Sequence, residues 1–409
     1  MVESDKSLNI AVVLRHFSKS GGLELYALKV VQGLLDDGHK ITVICEADDS
    51  ALSHANLRVQ TFEAPAKAAG KAARLDYYFA STSATLQELI QKFGPFDIIH
   101  SHHFPVAPVD VVTFHNHTTG RLSQVGRPWE KILNSAKMSF TAAYQTRNKY
   151  DRQLCLDAKM RIFVGAVMKD DFYQSFDMSA QAPFAIAHPG AELTPLANTK
   201  DSSTDSSKDR STDSTGQKSD VPGSSDQVFK FLFVGKGFRK KGLDTLLGSC
   251  AILKSRGHKF ELHIAGIKKR ASGKMQLALL NLADTVRYLG FCSDMSAIFS
   301  QCQSIILPSK IEPFGMAPIE GMHYGLVPIV SKVCGVAEVL SDGADSLILQ
   351  DHLDSRQLAD LMERLLVDRE LYNRLRTKAR ETADRLNWRK TVDATEEAYG
   401  QVLKNTEQE

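Results

Sequence analysis

The sequence predicts an α/β protein built from two doubly wound, Rossmann-like domains. Short runs rich in Val and Ile alternate with longer stretches of helical period along most of the chain. Several runs are apolar throughout, as strands covered on both faces require, and the alternation occurs as two separate series. In the first series LNIAVVL (8–14), KITVIC (40–45), LRVQTF (57–62), FDIIHSH (96–102) and VDVVTF (109–114) read as strands. A helix is predicted over 22–37, where Leu25, Leu28, Val31 and Leu35 recur at helical spacing and Gly38 stops it. The second series is FKFLFVG (229–235), FELHIAG (260–266), VRYLG (286–290), SIILPS (304–309) and LVPIVS (326–331), again with helical stretches between. LNWRKTVDATEEAYGQVL (386–403) reads as a terminal helix with Trp388 at its start.

Residues 197–227 separate the two series and are dominated by Ser, Asp, Thr and Lys. Such a segment buries too little apolar surface to offset its ordering entropy, so it reads as a disordered insertion that tolerates deletion. The expected domains are 1–188 and 228–387.

Bulk properties narrow the function classes. A chain of 409 residues exceeds one ordinary core, and 43% hydrophobic with 24% charged residues is a globular composition. Its 50 basic and 48 acidic residues leave a net charge of +2, which argues against nucleic-acid binding as the global role. The 6 cysteines are scattered without a C-x-x-C pair, which fits buried thiols in a reducing compartment better than a disulfide framework or a zinc site. MVESDKSLNIAVVLRHF lacks the plan of a signal peptide, and no run approaches the roughly 18 apolar residues of a membrane span. A cytoplasmic location is the expectation.

In doubly wound sheets ligands bind beyond the carboxyl ends of strands, so the loops after the strands carry the functional reading. SIILPS is followed by KIEPFGMAPIEGMHYG, in which Glu312 lies in the loop, Gly315 opens a helix and Glu320 falls on its second turn. The free N–H groups at that helix start suit a diphosphate, and each carboxylate can accept hydrogen bonds from vicinal sugar hydroxyls. Taken singly, a loop glutamate in solvent and a helix glutamate in a surface ion pair are the ordinary explanation. FLFVGKGFRKKGLDTLL (231–247) is a strand, a loop holding Gly235 and the cations Lys236, Arg239, Lys240 and Lys241, then a helix. Cations and helix N–H groups converge there as phosphate binding requires, although a lysine-rich loop is otherwise a solvated turn. Gly21 and Gly22 follow the first strand and permit close backbone approach. His100, His102, His103, His115 and His117 cluster, where strand-end packing competes with a metal site that no H-E-x-x-H spacing supports. The basic residues Arg121, Arg127, Lys131, Lys137, Arg147, Lys149, Arg152, Lys159 and Arg161 form either a solvated face or a band for anionic lipid. Neither half carries G-x-G-x-x-G after its first strand, which argues against a dehydrogenase.

EPFGMAPIEGMHYGLVPIVSKVCGVAEVL closely resembles the signature of family-4 glycosyltransferases. The resemblance implies the GT-B fold, with two Rossmann-like domains facing across a donor cleft and a last helix (388–405) crossing back to the N-terminal, acceptor-binding domain. It implies retaining transfer of a hexose from a nucleoside-diphosphate sugar, UDP favoured, to a cell-envelope glycan or glycolipid. Carried over, Glu312 contacts the donor sugar and Glu320 the ribose, while the backbone of Phe314, Gly315, Met316 and Ala317 faces sugar and diphosphate. Lys240 and Lys241 neutralise the diphosphate, Lys240 standing where the family has an arginine and giving a point charge rather than a fork. Gly21, Gly22 and Gly235 line the donor, and His115 or His117 sits beside the sugar, His115 being preferred. Glu312, Lys241 and His115 are thus the expected catalytic residues, and neither a metal nor another cofactor is implied. The lipopolysaccharide core glucosyltransferase I type shares the Gly-Gly-Leu start, the V-G-x-x-F-x-[RK]-K-G loop and the V-C-G turn. It carries an acidic residue where Tyr26 stands here. A nucleotide-sugar epimerase of the same fold and a non-catalytic scaffold are the alternatives. The basic band adds the expectation of a peripheral position on the inner membrane face.

Overall fold

The computed structural model describes residues 7–66, 69–191, 228–268, 271–292 and 294–406, so the polar segment 197–227 lies outside the described residues. The first domain holds strands β1 (Asn9–Val13), β2 (His16–Ser18), β3 (Lys40–Cys45), β4 (Ala47–Asp49), β5 (Leu57–Thr61), β6 (Ile98–Ser101), β7 (Val111–Phe114), β8 (Met160–Phe163) and β9 (Phe184–Ile186). Its helices are α1 (Gly22–Asp36), α2 (Lys71–Phe93), α3 (Thr119–Ser123), α4 (Pro128–Phe140), α5 (Ala142–Asp157) and α6 (Ala166–Ser175). The second domain holds β10 (Phe229–Val234), β11 (Phe260–Ala265), β12 (Val286–Gly290), β13 (Ser304–Leu307), β14 (Val327–Ser331) and β15 (Leu347–Leu349). Between and after them come α7 (Leu243–Ser255), α8 (Ala271–Leu279), α9 (Ser296–Phe299), α10 (Met316–His323), α11 (Ser355–Val367), α12 (Arg369–Arg385) and α13 (Trp388–Thr406).

Both sheets are parallel. The first runs β5-β3-β1-β6-β7-β8-β9 and the second β12-β11-β10-β13-β14-β15. In each, the chain starts in the middle, winds outward and returns, so the order reverses between β1 and β6 and again between β10 and β13. Ligands of such sheets lodge at those reversals, beyond the carboxyl ends of the strands. The two-domain GT-B architecture follows. The central strands form where expected because their residues are buried on both faces, from Ile10–Val13 in β1 to Ser304–Leu307 in β13. The short strands β8, β9 and β15, and the small parallel ribbon of β2 with β4, were not read from the sequence. Runs of 3 or 4 residues carry too little periodicity to stand out.

The terminal helix α13 crosses back onto the first domain. Arg389 reaches Asp37 at 2.6 Å, His39 meets Glu396 at 3.0 Å, and the Thr391 hydroxyl donates to the His188 carbonyl at 2.7 Å. A single apolar cluster runs from the first domain's core through Trp388 and into Phe314, Ile319 and Val336 of the second domain. No described helix is long and apolar enough to cross a membrane.

The contact of α1 with α13 is close enough to test. A Cβ added at Gly33 would stand 2.4 Å from a Val392 methyl. Gly33→Ala should therefore lower the melting temperature, despite the ~1 kcal/mol by which Ala is favoured over Gly inside a helix. Adding Val392→Ala should recover most of that loss. Thermal unfolding of both variants checks this, and a single variant as stable as wild type contradicts it.

Candidate active site

The second domain's site is built by loops whose backbones touch. Gly242, at the start of α7, is left-handed (φ +71°), and a Cβ there would lie 1.9 Å from the Pro308 carbonyl oxygen. The loop after β10 thereby crosses directly over the loop after β13, and the Lys310 amide donates to the Lys240 carbonyl at 2.8 Å. A second crossing follows at Gly335, where a Cβ would lie 2.1 Å from the Pro313 carbonyl oxygen. There the Gly335 amide donates to the Glu312 carbonyl (3.2 Å) and the Val336 amide to the Phe314 carbonyl (2.8 Å).

These crossings hold Glu312 buried at the switch point, with its carboxylate against the Lys241 ammonium and within 3.4 Å of the Ser309 hydroxyl. The Cys334 thiol beneath is pushed up to about 12 by burial and by the charge of Glu312. Behind this pair the buried Lys310 ion-pairs with Asp244 at 2.8 Å. Helix α10 is capped by Gly315 and carries Glu320, half-buried, with no hydrogen bond to its carboxylate among the described residues. Desolvation holds its carboxyl above the ordinary carboxylate range.

The expected donor residues divide. Lys241 is at the site, whereas the Lys240 side chain is exposed and only its carbonyl takes part in the loop crossing. Gly235 packs on the Lys241 stem, its Cβ position 3.4 Å from Cγ. Gly22 of the first domain faces Met316 of the second, a Cβ there standing 3.9 Å from Sδ, and Gly21 precedes it with φ +127°. Phe314 is buried with its ring 5.5 Å from that of His188, while Ala317 packs against the small cluster around Leu232 and Ile305.

In the first domain the histidines gather at the carboxyl ends of β6 and β7. His100 bonds Tyr399 (2.7 Å) and Thr113 (2.8 Å), and His102 Nδ1 meets His115 Nε2 at 3.1 Å. Tyr26 is buried, packs edge-on to His115 with centroids 4.8 Å apart, and donates to the Ala187 carbonyl at 3.1 Å. It is a core residue under the site rather than a ligand group. His103 (φ +52°) accepts from the amides of His115 and Asn116 and meets Asp151 at 3.1 Å. His117 Nδ1 meets Asp171 at 3.0 Å, while its Nε2 is buried without a partner among the described residues. Burial opposes the charge of Asp171, yet hydrogen bonds from His117 and Thr118 hold its carboxyl below the ordinary range. Among the described residues no three His, Cys, Asp or Glu side chains gather as a metal set. Beside the cluster a cavity of about 120 Å³ opens between His103, Phe104, Asn116, Arg147, Tyr150 and Asp151.

Two charged residues escaped the sequence reading. Lys310 is one, and Glu338 is the other: its carboxylate accepts from the Ala166 and Val167 amides, both at 2.7 Å, and so caps α6 of the opposite domain. The basic band is also less continuous than the sequence suggests. Arg161 is buried against the Cys155 and Leu156 carbonyls, Lys159 pairs with Asp110 and Arg147 with Asp151. Arg121, Arg127, Lys131, Lys137 and Arg152 remain exposed.

Burial depresses the basicity of His100, His102 and His115, that of His102 to about 3. The folded chain then binds fewer protons than the unfolded one below about pH 6.5, so stability present above that pH is lost as pH falls. Each imidazole should contribute ~1.4 kcal/mol of loss per pH unit. Melting temperatures followed from about pH 8 to pH 5 should fall steeply on the acid side; a flat or rising profile contradicts the neutral assignment.

The comparisons with known proteins agree with this geometry. Residues 20–193 match the family described as Glycosyltransferase Family 4, and residues 215–382 that described as Glycosyl transferases group 1. YqgM, an uncharacterized glycosyltransferase of Bacillus subtilis, is 25% identical over 324 residues, spanning 77% of this chain and 80% of its own. WaaG, a glycosyltransferase involved in lipopolysaccharide biosynthesis, superposes with a TM-score of 0.71 at 18% identity, covering 96% of this chain and 99% of WaaG. HepE of Anabaena, solved with UDP and glucose, superposes at 0.63 with 14% identity, covering 96% and 99%. At these identities the superpositions speak for the fold; the family matches, which between them reach both domains, speak for the chemistry. The chain belongs to the family-4 glycosyltransferases and is an enzyme of the GT-B fold.

Proposed function

We propose that this glycosyltransferase is a retaining hexosyltransferase that takes its sugar from a UDP-hexose and transfers it to a cell-envelope glycan or glycolipid at the cytoplasmic membrane face. The observation that carries the reading is the Lys241–Glu312 ion pair at the switch point of the second sheet. A diphosphate entering beside α10 meets Lys241 and the helix N–H groups, and the ammonium turns from Glu312 to the phosphate. Glu312 is then free to accept the donor sugar's hydroxyls, and Glu320 those of the ribose. The C1–oxygen bond to the β-phosphate breaks, the charge left on that phosphate is stabilised by Lys241, and the acceptor oxygen bonds C1 from the same face. Its proton passes to the departing phosphate, so neither a protein nucleophile nor a metal takes part.

His115 forms the floor on the opposite wall, while His117 is buried against Asp171. Gly21, Gly22 and Gly235 bring bare backbone to the donor, along with the backbone from Phe314 to Ala317. The cavity between His103 and Arg147 receives the acceptor. The UDP held by the Anabaena neighbour supports a uridine donor. The motifs shared with the lipopolysaccharide core glucosyltransferase type support an envelope acceptor.

Glu312→Ala and Lys241→Ala should each lower turnover by at least ~10²-fold, the scale of one preorganised transition-state contact. Lys240→Ala should cost only a few-fold, since its side chain faces solvent. Coupled-assay rates of UDP release on adding acceptor, with thermal unfolding as a check on the fold, decide the matter. Near-native turnover in a folded Lys241 or Glu312 variant contradicts the assignment, as does sugar interconversion without UDP release.

A further inference from the structure

Helix α6 of the first domain has no side-chain cap of its own. Its N-cap is Gly165, which cannot bond the free N–H groups of the first turn. The cap comes from the other domain. Glu338 stands on the 3-10 turn Gly335–Val339 that follows β14. One oxygen of its carboxylate accepts from the Ala166 amide and the other from the Val167 amide, both at 2.7 Å. A carboxylate at a helix start adds the attraction of the macrodipole to these charge-assisted hydrogen bonds. Burial opposes the charge of Glu338, yet His188 and the two amides hold its carboxyl below the ordinary range. The fit is close: a Cβ at Gly165 would stand 3.2 Å from Glu338 Oε2 and 3.5 Å from the Pro313 carbonyl oxygen.

Each end of this contact leads to one wall of the cleft. On the second domain, the turn that carries Glu338 is bonded to the Glu312 loop, with the Gly335 amide on the Glu312 carbonyl and the Val336 amide on the Phe314 carbonyl. On the first domain, α6 carries Asp171, which accepts from the Thr118 amide at 2.9 Å and the Thr118 hydroxyl at 2.6 Å and so holds the loop after β7. The contact also lies beside the pivot. His188 Nε2 is 3.6 Å from the Glu338 carboxylate. Just beyond it a Cβ at Gly190 would stand 2.2 Å from the Trp388 backbone nitrogen, where the chain returns to the first domain. A small displacement beside a pivot becomes a large one across the cleft.

We infer that Glu338 fixes the angle at which the two domains close and is thereby a positioning residue for transfer. It acts through α6 and the Glu312 loop rather than on the reacting atoms. UDP meets the charged groups of the second domain, so its binding does not need the angle. Transfer does need it, because an acceptor held by the first domain must reach C1 of a sugar held by the second. The effect on rate rests on the donor reading above, whereas the effect on the angle does not.

The test compares the full-length wild type with Glu338→Ala, alone and combined with Gly165→Ser. The serine gives α6 a cap of its own in the space that the carboxylate leaves, so the cap and the tie between domains are separated. Small-angle scattering, thermal unfolding, calorimetry with UDP and transfer rates from UDP-hexose are measured on all three. In Glu338→Ala the radius of gyration should rise and kcat should fall by ~10-fold or more, while UDP affinity stays as in wild type. Adding Gly165→Ser should restore the melting temperature but neither the radius of gyration nor kcat. Wild-type scattering by a folded Glu338→Ala variant overturns the inference, whatever its rate. Recovery of kcat together with the melting temperature also overturns it, leaving Glu338 a helix cap only. A parallel loss of UDP affinity overturns it too, since Glu338 would then be a donor ligand. A wild type that transfers nothing from UDP-hexose contradicts the donor reading, and the scattering still decides the angle.

Discussion

Backbone pressed on backbone beyond the second sheet is the constraint from which the site follows. At Gly242 and Gly335 two loop crossings leave no room for a Cβ, because the carbonyls of Pro308 and Pro313 occupy that space. A carbonyl cannot swing aside as a side chain can, so any larger residue there must move a loop. The crossings bring together three loops, from the ends of β10, β13 and β14, and thereby set Lys241 beside Glu312. They also put the Val336 amide on the Phe314 carbonyl, so that Phe314 wedges between the domains against His188.

The two walls of the cleft are electrostatically unlike. On the second domain two ion pairs, Lys241–Glu312 and Lys310–Asp244, keep charge of both signs at the switch point. Partly buried pairs of this kind gain little net stability, because desolvation offsets most of the attraction. Their value lies in availability: an ammonium held by one anion can be taken over by another at small cost. On the first domain His100, His102 and His115 are neutral by burial, so they contribute shape and hydrogen bonds without charge. The charged groups of the cleft thus lie on the second domain's wall. Glu338 ties the walls together by capping α6 from the opposite domain, and the shared apolar cluster seals the seam.

How much of this was legible depends on sequence distance. The central strands were readable because full burial makes them continuous Val and Ile runs, whereas β9 and β15, at 3 residues each, carry no period. The places of Glu312 in the loop and Glu320 on the helix were readable because loop, glycine and helix are contiguous. Lys310 and Glu338 were not, since their partners lie 66 residues and over 170 residues away. Lys240 and Lys241 are alike in sequence, yet in the fold one stands in solvent and the other meets Glu312. His115 was preferred to His117 only through the family resemblance, because the hydrogen-bond partners that separate them, His102 and Asp171, are set by the fold.

The central claim is that Lys241, released from Glu312, binds the donor's diphosphate. Calorimetric titration of UDP into wild type, Lys240→Met and Lys241→Met measures this directly. The account predicts similar affinities for wild type and the Lys240 variant, and a loss of ~10-fold or more in the Lys241 variant, the scale of one charge-assisted hydrogen bond. Equal affinity in a folded Lys241 variant, or no UDP binding by wild type, contradicts it.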